Sequence, residues 1–183
     1  MIVTADGPDS PRSVEEFRLL AGAAQGIRAL NQLGLPVVLV SNQPGVAKGK
    51  FPANNLDAIT ERMREELRAQ LATLDAIYYC LHHPQAVVPE YQAICDCRKP
   101  KSGLLTQAAR EMNLELTGSY MVGDQPRDMV AGKTVGCTTL LVGSDPEPAS
   151  VGDADHLCSD LGAAARLIAE LKTVGAARHI EGR

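Results

Sequence analysis

Pro36-Val37-Val38-Leu39-Val40-Ser41-Asn42-Gln43-Pro44-Gly45 is the stretch that decides the fold class. A continuous apolar run suits a strand buried on both faces, whereas a strand with one wet face alternates apolar and polar residues. Before it, Ser13 to Leu33 spaces Val14, Phe17, Leu19, Leu20, Ile27 and Leu30 in a roughly helical pattern, and Gly34 with Pro36 stops that pattern. After it, Leu56 to Leu74 predicts an amphipathic helix with Ile59, Met63, Leu67 and Leu71 on one face and Glu61, Arg62, Glu65 and Arg68 elsewhere. The alternation continues with a strand from Asp75 to Cys80, a helix from Ser102 to Met112 and a strand from Ser119 to Gly123. A short helix from Asp128 to Lys133, a strand from Cys137 to Val142 and a long helix from Ser159 to Lys172 complete it. Strands separated by helices imply an α/β fold: a three-layer, Rossmann-like parallel sheet with helices on both faces and right-handed crossovers.

The length of 183 residues with 45% hydrophobic content suits one core, expected over residues 1–175 with a tail at 176–183. Aromatic residues make up only 3% and Trp is absent, so Ala, Leu, Val and Ile must supply the buried area. A net charge of −4 argues against a general nucleic-acid partner, which needs a basic face to displace counterions. No apolar run is long enough to span a membrane, and Met1 to Pro11 lacks the basic and apolar regions of a signal peptide, so no membrane partner and a cytoplasmic address are expected. Of the five cysteines, Cys137 and Cys158 stand apart and read as small buried hydrophobes. The terminal Ile180-Glu181-Gly182-Arg183 resembles a protease-cleavage linker and carries no functional reading.

In an open parallel sheet ligands bind at the carboxyl ends of the strands. The first clear strand ends in Ser41, Asn42 and Gln43, a hydroxyl and two amides suited to phosphate oxygens but also ordinary turn formers. The strand at Ser119 to Gly123 ends in Asp124-Gln125-Pro126-Arg127-Asp128. A carboxylate at a strand tip suits Mg²⁺, which takes hard oxygens and shares its shell with substrate phosphate. Asp124 is the candidate ligand; Asp128 fits a helix cap as well as it fits the ion. The strand at Asp75 to Cys80 runs into Cys80-Leu81-His82-His83-Pro84, and a short loop later comes Cys95-Asp96-Cys97-Arg98-Lys99-Pro100. Cys80, His82, Cys95 and Cys97 form a C-x-H…C-x-C set of the kind zinc takes in closed structural sites. Four protein ligands leave no open position for Lewis-acid catalysis, so the ion's expected work is to fold the loop and aim Arg98 and Lys99 at an anion.

Together these residues closely resemble one family. Val40-Ser41-Asn42-Gln43-Pro44-Gly45-Val46-Ala47-Lys48-Gly49, Tyr78-Tyr79-Cys80-Leu81-His82-His83-Pro84, Cys95-Asp96-Cys97-Arg98-Lys99-Pro100-Lys101-Ser102-Gly103 and Ser119-Tyr120-Met121-Val122-Gly123-Asp124 are similar to the motifs of haloacid-dehalogenase-superfamily phosphatases. The zinc-loop pattern narrows this to the group of D-glycero-D-manno-heptose 1,7-bisphosphate phosphatases and histidinol-phosphatases. The resemblance implies a Mg²⁺-dependent phosphatase acting on a small phosphorylated sugar, with a monomeric chain and structural Zn²⁺. It implies that Ser41 stabilises the transferring phosphoryl group and that Asn42, Gln43 and Gln125 line the substrate pocket. Arg98 would recognise substrate, Lys99 would neutralise phosphoryl charge, Asp124 would bind Mg²⁺, and Cys80, His82, Cys95 and Cys97 would hold zinc. Pro44, Leu81 and Gln125 depart from the serine, proline and lysine usual in relatives.

That chemistry uses an aspartate nucleophile from an Asp-x-Asp-Gly-Thr motif at the end of a central first strand, forming an aspartyl-phosphate. No such motif occurs in the sequence; the nearest string, Thr4-Ala5-Asp6-Gly7-Pro8, places threonine where the nucleophile belongs. The favoured expectation is that Met1 falls just downstream of the motif, the other that Met1 to Thr4 form a stunted first strand of a nucleophile-less relative. In either case two inner strands would lack a partner on one edge. A zinc-stapled pseudophosphatase that binds phosphorylated ligands or a protein partner, and a histidinol-phosphatase, are the alternative functions.

Overall fold

The computed structural model describes residues 3–4, 10–143 and 154–180 of the chain. The string Thr4-Ala5-Asp6-Gly7-Pro8 therefore lies outside the described residues beyond Thr4, as do Met1, Ile2 and Glu181 to Arg183. Strand β1 (Val3–Thr4) pairs antiparallel with β2 (Arg18–Leu19), Val3 opposite Leu19, and not with the parallel sheet. The expected helix from Ser13 begins only at α1 (Ala23–Gln32). Gly22, at φ 80°, is left-handed and cannot continue backwards as a right-handed helix. Phe17 is nevertheless buried, with Val14 and Leu19 packed against the same cluster, so the spacing read as helical marks a turn and a short strand facing the core.

Strand β3 (Val38–Asn42) is followed by the single-turn α2 (Pro44–Ala47), which Pro44 opens, and by α3 (Ala53–Ala69). The expected stripe on α3 is buried at Ile59, Met63 and Leu67, while Leu71 lies past the helix end and is exposed. Strand β4 (Ala76–Cys80) pairs in parallel with β3, Val38 opposite Ala76 and Asn42 opposite Cys80. Then come α4 (Gly103–Met112), β5 (Tyr120–Gly123), α5 (Pro126–Thr134), β6 (Thr138–Val142), β7 (His156–Cys158) and α6 (Leu161–Ile180). Strands β5, β6 and β7 form a second parallel set in that order.

Helices cover both faces, as the alternation of helix and strand predicts. On one face Ile27 of α1 packs with Ile59 and Met63 of α3, and Leu30 of α1 packs with Leu140 and with Ala164, Ala165 and Ile168 of α6. On the other, Leu105 of α4 meets Met121 of β5 and Ala131 of α5. Helices α1 and α6 approach so closely that a Cβ on Gly26 would lie 2.8 Å from Leu161 Cγ and 3.0 Å from its backbone. The described strands make two half-sheets, β3-β4 and β5-β6-β7, held together by the helices rather than by a shared ladder. Among the described residues β3 pairs on one edge only, and its residues are half-buried where the apolar run predicts full burial.

Candidate functional site

The carboxyl ends of β3 and β5 open on one cavity of about 170 Å³. Ser41, Gln43, Lys99, Asp124 and Asp128 line it, with Phe17 and Val122 among its apolar walls. Lys99 enters from the loop after β4. Its Nζ donates to Val40 O at 2.7 Å and pairs with Asp128 Oδ1 at 2.9 Å. The lysine backbone is fixed by Asn42, whose Nδ2 donates to Lys99 O and whose Oδ1 accepts the Lys99 N–H, each at 3.0 Å. Asn42 thus acts on the loop that carries the cation and is not part of the cavity wall. Gln43 Nε2 donates to Ser41 Oγ at 3.3 Å, steering the hydroxyl at the strand tip.

Asp124 and Asp128 divide the roles the sequence left open. Asp128 is buried at 4% exposure and closes a capping box at the start of α5, its Oδ2 accepting the Gln125 N–H at 3.2 Å. With its other oxygen on Lys99, its carboxylate serves the helix cap and the lysine. A Cβ on Gly123 would meet Asp128 Cβ at 2.4 Å, so only glycine lets the strand exit beside that carboxylate. Asp124 stands at the cavity with Gln125 Nε2 donating to its Oδ2 at 3.3 Å. The Asp124 carboxylate at a strand tip, on a cavity of about 170 Å³, fits Mg²⁺, which binds through one or two carboxylates and keeps the rest of its shell for water and phosphate.

The four predicted zinc ligands converge: one donor atom from each of Cys80, His82, Cys95 and Cys97 lies within 4.8 Å of the others. Cys97 Sγ is 3.0 Å from Cys80 Sγ, 3.1 Å from Cys95 Sγ and 3.3 Å from His82 Nδ1. With Zn–S bonds of about 2.3 Å, sulfurs on a tetrahedron stand about 3.8 Å apart, so slight expansion of this cluster accepts the ion. All four residues are free of disulfides where cysteine, and burial with the neighbouring Cys80 and Cys95 sulfurs pushes the Cys97 thiol up. His83 stays outside the cluster, its Nδ1 accepting the Gln85 N–H at 3.0 Å. Burial, then the charges of Arg98 and Lys48, hold the His83 imidazole below its ordinary value. Arg98 Nη1 donates to His82 O at 3.3 Å, tying the guanidinium to the metal loop and away from the cavity wall.

Reasoning from sequence did not anticipate the wall residues Pro11, Phe17 and Leu56, or the Thr60–Tyr79 hydroxyl contact of 3.0 Å beside them. These are apolar or neutral residues from remote segments, and no motif signals them.

Residues 96–164 match the profile of the family described as HAD-hyrolase-like. The chain is 37% identical over 151 residues to D-glycero-beta-D-manno-heptose-1,7-bisphosphate 7-phosphatase of Escherichia coli K12, covering 81% of this chain and 79% of that one. Its fold matches the D,D-heptose 1,7-bisphosphate phosphatase of B. bronchiseptica, solved with magnesium and phosphate. The TM-score is 0.76 and the identity 32%, over 93% of this chain and 94% of that chain. A HAD-like phosphatase of Mesorhizobium loti superposes with TM-score 0.79 at 31% identity, over 94% of this chain and 81% of the other. No described helix is long and apolar enough to cross a membrane. Identity at this level over four-fifths of the chain, joined to the converging strand tips and the four-residue Cys/His cluster, places the chain in the HAD-like phosphatases, phosphoric monoester hydrolases, in the group of the heptose bisphosphate phosphatases.

Proposed function

We propose that the cavity at the ends of β3 and β5 binds a phosphate of a small phosphorylated sugar, D-glycero-β-D-manno-heptose 1,7-bisphosphate, for Mg²⁺-dependent hydrolysis. The observation that carries this reading is the meeting of Ser41, Lys99 and Asp124 in one cavity, in a chain whose relatives bear that substrate in their names. The Ser41 hydroxyl donates to a phosphate oxygen, and the Lys99 ammonium offsets the charge of the phosphoryl group. Asp124 holds Mg²⁺, which when bound neutralises further phosphate charge. Cys80, His82, Cys95 and Cys97 hold Zn²⁺ and thereby fix the loop from which Arg98 and Lys99 project; Arg98, Asn42, Gln43 and Gln125 contribute to substrate recognition directly or through the loop. The sequence contains no Asp-x-Asp-Gly-Thr, so these residues supply binding and charge neutralisation and not the attacking carboxylate.

Calorimetric titration of the chain with the sugar bisphosphate, with and without Mg²⁺, tests this reading. Expected is binding that strengthens with Mg²⁺ and is lost in Asp124→Ala and Lys99→Ala; binding indifferent to both substitutions contradicts it. The missing motif favours one second reading, a phosphate-binding pseudoenzyme. It is distinguished by the absence of turnover when an Asp-x-Asp-Gly-Thr strand is joined to the chain.

A further inference from the structure

Helix α4 begins at Gly103 without a side-chain cap, although Ser102 stands at the capping position. The first amides of a helix find no partner within it, and here the first of them is met from outside: Gly103 N–H donates to the Asp96 carbonyl at 2.9 Å. Asp96 lies between Cys95 and Cys97, so the C-x-C turn that presents two of the four cluster sulfurs is itself the cap of α4. The helix is a firm support for that turn. Leu104, Leu105 and Ala108 are buried, and Leu105 packs with Met121 and Ala131.

Turn and helix approach more closely than any side chain allows. A Cβ on Gly103 would lie 2.6 Å from the Asp96 carbonyl carbon, nearer still to its oxygen, and 3.0 Å from the Cys97 nitrogen. These are backbone atoms, which cannot swing aside as the end of a flexible side chain does. A second tie joins the same segments, the Lys101 Nζ to Asp96 Oδ1 pair at 2.8 Å, but with side chains 50% and 92% exposed it is of the kind that contributes little. The backbone latch is therefore the stronger tie. Between its two ends the chain carries Arg98 and Lys99, and Lys99 is held again by Asn42 of β3. We propose that Gly103 is a positioning residue for the metal ligands Cys95 and Cys97: by letting the α4 amide reach the Asp96 carbonyl, it sets the C-x-C turn before an ion arrives. This assignment rests on the proposed zinc site at Cys80, His82, Cys95 and Cys97. Groups that orient metal ligands without touching the ion change affinity by about tenfold to a hundredfold when they are lost. Helix propensity acts in the opposite direction. Gly103 is not among the glycines of positive φ, so Gly103→Ala brings no backbone strain and, on propensity alone, would be neutral or stabilising. A loss at the metal site in that variant reports the close approach.

The test compares the full chain with Gly103→Ala and Asp96→Ala, by zinc competition against a chromophoric chelator and by the absorption of the cobalt(II)-loaded proteins. Expected for Gly103→Ala is zinc affinity lower by about tenfold to a hundredfold, with a shifted thiolate-to-cobalt band. Asp96→Ala keeps the backbone carbonyl and loses only the exposed ion pair, so parent values are expected in both measurements. A third measurement needs no variant: in the metal-free parent the Gly103 amide is expected to exchange with solvent slowly, whereas a first-turn amide without a partner exchanges fast. The proposal is overturned if Gly103→Ala binds zinc as the parent does, or if Asp96→Ala loses as much affinity. It is equally overturned if the Gly103 amide of the metal-free parent exchanges as fast as amides in exposed loops. A folded parent that takes up neither zinc nor cobalt overturns the zinc site itself, and the role of Gly103 with it; metal uptake indifferent to Gly103→Ala overturns the role of Gly103 alone.

Discussion

Lys99 and Asp128 are 10% and 6% exposed as side chains and stand 2.9 Å apart, so the pair has little water to fall back on. Removing the cation leaves a carboxylate buried beside apolar walls, a change that costs about 3–5 kcal/mol in comparable pairs. Lys99→Met is therefore expected to lower the unfolding free energy by about 3 kcal/mol in urea titration at neutral pH, whereas a value near zero would mean that Asp128 does not depend on the lysine. At this scale the sequence revealed the cation, because it follows a ligand cysteine, but not its anchors. Asn42 lies 57 positions away, and nothing in a polar residue after a strand tells which loop it will hold. Asp155 is a second such residue. Its carboxylate accepts from Lys133 Nζ and, at 2.8 Å, from the Thr139 N–H; these bonds, the lysine's first, hold it at about 2 against an ordinary 3.8. A depressed carboxylate stabilises the fold above its unfolded value and ceases to as pH falls through the folded one. Asp155→Asn is expected to lower Tm at pH 7, with the gap to the parent closing between about pH 4 and pH 2. A gap that stays constant down to pH 2 would show that the charge is not what matters.

Among the elements, α3 was legible because its apolar residues recur at helical spacing over several turns. The start of α1 was not, since Val14, Phe17 and Leu19 face the core from a turn and a strand with nearly the same spacing. Pairing of β1 with β2 and the short strand β7 rest on contacts between two or three residues each, too few to leave a pattern. Helix α6 runs to Ile180, past the Lys172 suggested by the sequence. The contact of α1 with α6 has a sharp steric limit at Gly26. Gly26→Ala is expected to destabilise by about 1–3 kcal/mol through overpacking against Leu161, read as a Tm loss; an unchanged or raised Tm would mean the helices move apart freely. The loop between β4 and α4 carries Cys80, His82, Cys95 and Cys97, which could hold a metal ion, and such binding is on the order of 10 kcal/mol in small zinc domains. Cys97→Ser is expected to release zinc on elemental analysis and to weaken substrate binding through Arg98 and Lys99, and full zinc content in that variant would refute the assignment.

At the scale of the whole molecule, two parallel half-sheets are clamped by α1 and α6 on one face and by α4 on the other, with an apolar slot between them. The α/β class and the convergence of strand tips were legible because parallel strands carry their signature in composition and ligands gather at carboxyl ends. Among the described residues the parallel strands fall into two sets, and the bond from Lys99 to the Val40 carbonyl became visible only in three dimensions. Ser41, Lys99 and Asp124 are proposed as the phosphate-handling residues of a heptose bisphosphate phosphatase. The most direct measurement is phosphate release from D-glycero-β-D-manno-heptose 1,7-bisphosphate by the chain extended ahead of Met1 with a strand ending in Asp-x-Asp-Gly-Thr. Expected is Mg²⁺-dependent release that falls at least about a hundredfold in Lys99→Ala, as loss of a charge-stabilising donor does elsewhere; a folded, zinc-loaded extended chain that binds the sugar yet releases no phosphate would contradict this assignment.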